Sequence, residues 1–181
     1  MCSMIPVGCN SVLEPTPGKG NIVSALKEIG LAVTAPDNFF DLQSNQFDCI
    51  IMNPPFSSKY TYGVPETVKE SGMKIGYHIL FKCMEMTDHV IAIMPWFLIL
   101  DSSVRLKQLK EYGLRSITAL PRSTFEYARI QCCIFELDRN WKGKTEFKVF
   151  NFTKRRKIDP KQLELDYITD EIISDQISSF K

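Results

Sequence analysis

Histidine is scarce in this chain, with only His78 and His89 among 181 residues. The six cysteines (Cys2, Cys9, Cys49, Cys83, Cys132 and Cys133) include no Cys-x-x-Cys pair. A structural zinc site needs four soft ligands at short, regular spacing, so no metal is expected. Long hydrophobic runs are missing too. The longest, residues 90–100, is interrupted by Pro95 and falls well short of a membrane span. The amino end, MCSMIPVGCNS, has neither a basic segment nor a long apolar stretch, so it does not read as a signal peptide, and no membrane association is expected. Charge of one sign is not in excess: 22 Lys and Arg face 21 Asp and Glu, for a net charge of +1. Global basicity therefore does not announce a nucleic-acid partner, and any such surface has to be local. Repeats and low-complexity segments are absent.

What is present suits one folded domain. Hydrophobic residues make up 44% and charged residues 24% of the chain, a balance that disfavours disorder. A length of 181 residues permits a full core, and we read 1–181 as a single domain with a basic carboxy-terminal extension at 139–181. Several cysteines lie in apolar runs, where a free thiol behaves as a small hydrophobe. They read as reduced core residues, and a cytoplasmic location is expected.

Short apolar runs alternate with helical spacing, which predicts an α/β domain with a mostly parallel sheet. Strands are expected at 11–13, 31–35, 47–52, 90–98, 116–120, 131–137 and 146–152, with the strand at 131–137 antiparallel. Helices are expected at 21–29, 75–86 and 101–112. Residues 57–74 are polar and irregular and read as a long loop. The last thirty residues are charged and helix-compatible.

Two segments carry candidate chemistry. The first is Glu14-Pro15-Thr16-Pro17-Gly18-Lys19-Gly20, between a strand and a helix. Its glycines permit a tight turn and close approach of backbone to a ligand, and Glu14 at the strand end can accept hydrogen bonds. The segment is neither a Walker loop nor G-x-G-x-x-G, and an ordinary strand-to-helix turn is the plain alternative. The second is Asn53-Pro54-Pro55-Phe56, at the end of the apolar run 47–52. Two prolines stiffen the backbone and remove donors, which leaves the Asn53 amide and the Pro54 carbonyl as fixed acceptors beside an aromatic ring. Such a loop suits a planar ring bearing an amino group; a merely rigid turn is the alternative.

In this order, each after a predicted strand, the two motifs resemble the amino-methyltransferases of the class I S-adenosylmethionine-dependent superfamily. Asn53-Pro54-Pro55-Phe56 is similar to the (D/N/S)-P-P-(Y/F) signature of the N6-adenine DNA methyltransferases, and the resemblance covers roughly residues 10–138. It implies a Rossmann-like fold and methyl transfer from S-adenosylmethionine to the exocyclic amine of a flipped adenine, with DNA as partner and no metal. Glu14, Pro15, Gly18 and Gly20 would then hold the methionine and ribose parts of the cofactor. Asn53 and Pro54 would accept from the adenine amine, Pro55 would keep the loop stiff, and Phe56 would stack on the extruded base. The same acceptor geometry serves RNA-base and protein-glutamine N-methyltransferases, and a non-catalytic nucleic-acid-binding protein can retain the fold; Phe in the fourth position tilts toward DNA.

The family also places acidic residues after its second and third strands to hold the cofactor's ribose and adenine. Only about a dozen residues separate residue 35 from the run beginning near Asp48, so a helix and a strand between strands 2 and 4 of the family's order are compressed or missing. Asp37 is expected to stand in for either acidic position, with Phe39 or Phe40 against the cofactor ring; an Asp in a turn after proline is the alternative. Lys59, Tyr60 and Tyr62 are candidates for contacts to base or phosphate. Met94-Pro95-Trp96-Phe97 is either a wall of the target pocket or core packing. His78 reads as a packing or surface residue. Residues 139–161 carry nine Lys or Arg against two acids, with Trp141 and Phe152 interleaved, and form either a phosphate-binding stretch or a solvated charge run. No segment is long enough for a target-recognition domain, so a specificity subunit or a homodimer is expected as partner.

Overall fold

The computed structural model describes residues 1–42, 46–56, 63–70, 73–99, 101–125 and 131–150. The chain divides into two units, Met1–Phe150 and Asn151–Lys181. The second unit lies outside the described residues, together with the helical expectation for the last thirty residues, the basic positions from Lys154 onward, and Lys59, Tyr60 and Tyr62.

The described part is a seven-stranded sheet with helices on both faces. In chain order its elements are β1 (Ser11–Leu13), α1 (Asn21–Glu28), β2 (Ala32–Thr34), β3 (Cys49–Met52), α2 (Glu66–Glu70), α3 (Ile75–Met86), β4 (His89–Pro95), α4 (Ser103–Tyr112), β5 (Leu114–Ala119), β6 (Cys132–Asp138) and β7 (Glu146–Val149). The strands lie in the order β2-β1-β3-β4-β6-β5-β7. The first four are mutually parallel, β6 runs antiparallel to both β4 and β5, and β7 is parallel to β5. The antiparallel strand is thus flanked on both sides, and β7 rather than β6 lies at that end of the described sheet.

The apolar runs explain which strands are central. Every residue of β3 is buried, and so is β4 from Val90 onward, as expected of strands covered on both faces. Alternate side chains feed two cores. Leu13, Ile50, Met52, Ala92 and Phe135 face α3 and α4, whereas Val12, Ile51, Ile91 and Ile134 join Leu26 of α1 on the other face. β2 is short and largely exposed. Between β2 and β3 the only described element is a 3-10 turn, Phe39–Asp41, which is the compression anticipated from the spacing.

Two local readings differ from the structure, and of Asp101 and Ser102, the two caps expected for the helix at 101–112, the second is found. The segment read wholly as loop contains α2, started by Pro65, whose fixed φ suits entry to a helix. The strand expected over 90–98 ends at Pro95 and turns into a 3-10 segment, Trp96–Ile99. Helix α4 begins at Ser103 because Ser102 caps it, its hydroxyl accepting from the Arg105 amide at 3.3 Å.

Candidate active site

Because β1 to β4 are parallel, the segments after them emerge at one edge of the sheet, where open α/β folds place their ligands. A cavity of about 410 Å³ opens there. Pro15 to Gly18 line it from the β1 side, Asp37 to Phe40 from β2, Asn53 and Pro55 from β3, and Ile79 from α3. The two motifs, more than thirty residues apart in sequence, therefore share one cavity.

Glu14 lies at the root of the first turn with no exposed surface. Its Oε1 accepts from the Thr16 amide at 3.0 Å and from the Thr16 hydroxyl at 3.2 Å. Its Oε2 is buried without a hydrogen-bond partner among the described residues. Burial raises the carboxyl pKa to about 7 despite the two bonds from Thr16, which lower it. Thr16, which the sequence reading passed over, is thus the link between Glu14 and the cavity wall. Gly18 and Gly20 have φ of 50° and 76°, the left-handed region that glycine enters without strain. Gly18 lines the cavity, and Gly20 occupies the N-cap of α1.

Asp37 is exposed on the rim, and Phe39 is buried with Phe40 edge-on at 5.5 Å. Between them stands Asn38, also missed from sequence. Its Nδ2 donates to Asp41 Oδ2 at 2.9 Å and to the Gly63 carbonyl at 3.3 Å, while its Oδ1 accepts from the Phe40 amide. A Cβ on Gly63 would sit 2.8 Å from that nitrogen, so the two loops meet closely.

Asn53 is exposed at the cavity, Pro54 is buried, and Pro55 and Phe56 are half-buried. Phe56 does not line the cavity. Its ring edge lies against Gly76 of α3, where an added Cβ would come 2.9 Å from the Pro55 carbonyl oxygen and 3.0 Å from the ring. Gly76 is therefore a seat for the Asn-Pro-Pro-Phe loop, and nothing local in the sequence marked it. His78 is half-buried on α3, where burial lowers its pKa.

A second groove, of about 500 Å³, lies at the opposite, amino-terminal edge, lined in part by Asp48, Thr87 and Arg139. Its polar groups have structural partners. Asp48 accepts from the Asn10 and Ser11 amides at 2.9 Å, and Arg139 pairs with Asp88 at 2.7 Å. In the basic stretch Lys148 is likewise engaged, pairing with Glu136 and Glu146. All six cysteines are free thiols, and Cys49, Cys83 and Cys133 are buried. No described helix is long and apolar enough to cross a membrane.

No protein-family model matches the chain, and no curated protein matches it in sequence. Solved structures do match. A protein from Listeria monocytogenes assigned as a class I S-adenosylmethionine-dependent methyltransferase superposes with a TM-score of 0.61 at 16% identity, covering 94% of this chain and 65% of that one. The methyltransferase subunit of a type I restriction-modification system from Streptococcus thermophilus gives a TM-score of 0.59 at 14% identity, covering 91% of this chain and 48% of that one. A type IIG restriction endonuclease gives 0.52 at 15% identity, over 75% of this chain and 23% of that one. The chain spans less than two thirds of each of these proteins. The seven-stranded, mostly parallel sheet and these superpositions give one conclusion: the chain has the Rossmann-like class I methyltransferase fold.

Proposed function

We propose that this chain is an S-adenosylmethionine-dependent methyltransferase acting on the exocyclic amine of adenine in DNA. The observation that carries the reading is the shared cavity, in which the Gly18 turn and Asn53 line the same space. Methyl transfer needs a donor site and an amine-binding site in that juxtaposition.

The residues fit the cofactor. Glu14 Oε2 is a buried acceptor without a partner among the described residues, at the base of a glycine turn where a Cβ on Gly18 would meet nothing nearer than the Thr16 carbonyl oxygen at 3.9 Å. Phe39 and Phe40 give an apolar wall, and the exposed Asp37 carboxylate beside them suits ribose hydroxyls. When bound, S-adenosylmethionine supplies a methyl group already activated by a positively charged sulfur. Glu14, Thr16 and Gly18 hold and orient that end of the cavity.

The Asn53 carboxamide oxygen and the Pro54 carbonyl accept the two amine hydrogens of the target. An adenine amine is conjugated with its ring and is a poor nucleophile; two in-line acceptors favour a pyramidal nitrogen and aim its lone pair across the cavity. Transfer would exchange the donor's S–CH3 bond for the new N–C bond; the Asn53 and Pro54 oxygens stabilise the positive charge that would pass to the nitrogen, and the surplus proton would be lost to water. The half-exposed ring of Phe56 offers a stacking surface to the extruded base, which offsets part of the ~1–3 kcal/mol associated with each base stack. A subunit that selects the DNA sequence, or a second copy of the chain, completes recognition; a type I restriction-modification methyltransferase subunit is among the fold's counterparts.

The test is transfer of a labelled methyl group to DNA, RNA and protein offered separately. Label in N6-methyladenine of DNA, lost in Asn53→Ala while S-adenosylhomocysteine still binds, supports the reading. Label in RNA or protein alone overturns the substrate, and unchanged turnover in Asn53→Ala overturns the mechanism. Binding of DNA without binding of S-adenosylhomocysteine identifies a non-catalytic protein of this fold.

A further inference from the structure

We infer that the amino ends of α3 and α4, at the sheet edge where the cavity opens, grip the phosphodiester backbone of DNA, with Lys74 and Arg105 as the contacts. The inference takes its substrate from the proposed adenine methylation but rests on separate observations. Helix α3 leads into β4, and α4 follows β4 through the 3-10 turn at Trp96–Ile99, so both helices begin at the sheet edge where the cavity opens. They are 12 and 10 residues long, and their amino ends favour anions.

Two cations stand at these ends without an ion pair among the described residues. Lys74, the N-cap of α3, holds its Nζ 4.6 Å from the centre of the Phe97 ring. Arg105, in the first turn of α4, lies 4.6 Å over the Tyr77 ring of α3 and so bridges the two helices. Several other described cations are paired: Lys69 with Glu66, Lys82 with Glu85, Lys107 with Glu111, and Arg139 with Asp88. Stacking on an aromatic face fixes a cation in place without cancelling its charge.

The stack also contains unused hydrogen-bonding groups. The Tyr77 hydroxyl and Arg105 Nε are both buried without a partner among the described residues, and Tyr77 as a whole is only 2% exposed. Leaving such groups unpaired is costly, and a phosphate oxygen is an acceptor for both. Burial chiefly opposes ionisation of Tyr77, and the Asp101 carboxylate adds to that while Arg105 acts against it. Exposed Lys19 after β1 and Arg122 after β5 extend the same edge, again without ion pairs among the described residues. A base drawn out of a duplex is held by gripping the phosphates that flank it, and contacts of this kind position the strand without reading its sequence.

The experiment measures affinity of the full chain for duplex DNA against salt concentration, in wild type, Lys74→Gln, Arg105→Gln and, as control, Lys82→Gln at the far edge. Each rim substitution is expected to lower the slope of log affinity on log salt by about 0.9, the value for one phosphate contact, with S-adenosylhomocysteine affinity unchanged. Lys82→Gln is expected to leave the slope alone. An unchanged slope in Lys74→Gln, an exposed position where folding is not at stake, overturns the inference even if Arg105→Gln is unstable. Wild-type protein that binds S-adenosylhomocysteine but not DNA overturns it while leaving methyl transfer to another acceptor intact. A lowered slope without any methylation sinks the proposed activity and keeps the surface.

Discussion

Glu14 shows how one residue can be both a binding group and a liability. Its carboxyl titrates near 7 in the folded chain against an ordinary value of 4.5, because burial disfavours the charge. The folded state therefore holds a proton that the unfolded chain releases at lower pH. This contribution to stability is whole below pH 4.5 and is lost as the pH rises through 7, a span worth about 3 kcal/mol. Denaturant titrations should find wild type losing stability between pH 5 and pH 8 relative to Glu14→Gln, whose amide cannot ionise. Parallel pH profiles for the two proteins would show that the carboxyl is not held neutral. Glu14, Gly18 and Asn53 were legible in the sequence because each belongs to a short motif whose chemistry is local. Thr16 and Asn38 were not legible. Thr16 acts on the site through the carboxylate it bonds, and one of the Asn38 bonds goes to a carbonyl 25 positions away.

At the scale of elements, the closest fits are the strands and helices with strong apolar patterns. β1 and α3 match the expected limits, and β3, β4 and β6 begin or end within three residues of theirs. The pattern could not report contacts made by a residue with no side chain. Gly76 is the case in point, since the space it leaves open is filled by the Pro55 carbonyl and the Phe56 ring. Gly76→Ala is expected to cost about 1–3 kcal/mol through overpacking and to reduce methylation more than cofactor affinity, because the displaced loop carries Asn53. Thermal melts and single-turnover assays check the two halves; equal losses in both affinities would remove the loop from the account. Gly113, the C-cap of α4, has φ of 130° and would place a Cβ 1.9 Å from the Asp138 carbonyl oxygen. Gly113→Ala should therefore be the more damaging glycine change, with a lower melting midpoint than Gly76→Ala.

Across the whole sheet, one buried carboxylate binds the last three strands together. Glu136 on β6 accepts from the Ser116 hydroxyl of β5 at 2.6 Å and pairs with Lys148 of β7 at 3.4 Å, with Arg115 at 3.5 Å from its other oxygen. Glu136→Ala leaves the buried Ser116 hydroxyl without its acceptor, while Arg115 and Lys148 keep Asp138 and Glu146, and a loss of about 1–3 kcal/mol is expected. Amide exchange should speed up in β7 before β3; uniform exchange would show that β7 does not depend on this residue. The sequence announced the basic stretch around Lys148 but not the pairing of Lys148 with Glu136, which lies on the separate strand β6.

The same arrangement of distant partners recurs at the cavity. A single carboxamide, that of Asn38, is fastened to Asp41 in the Phe39–Asp41 turn and to the Gly63 carbonyl. That turn and the chain at Gly63 are thereby riveted at one point, so a displacement of either strains the other.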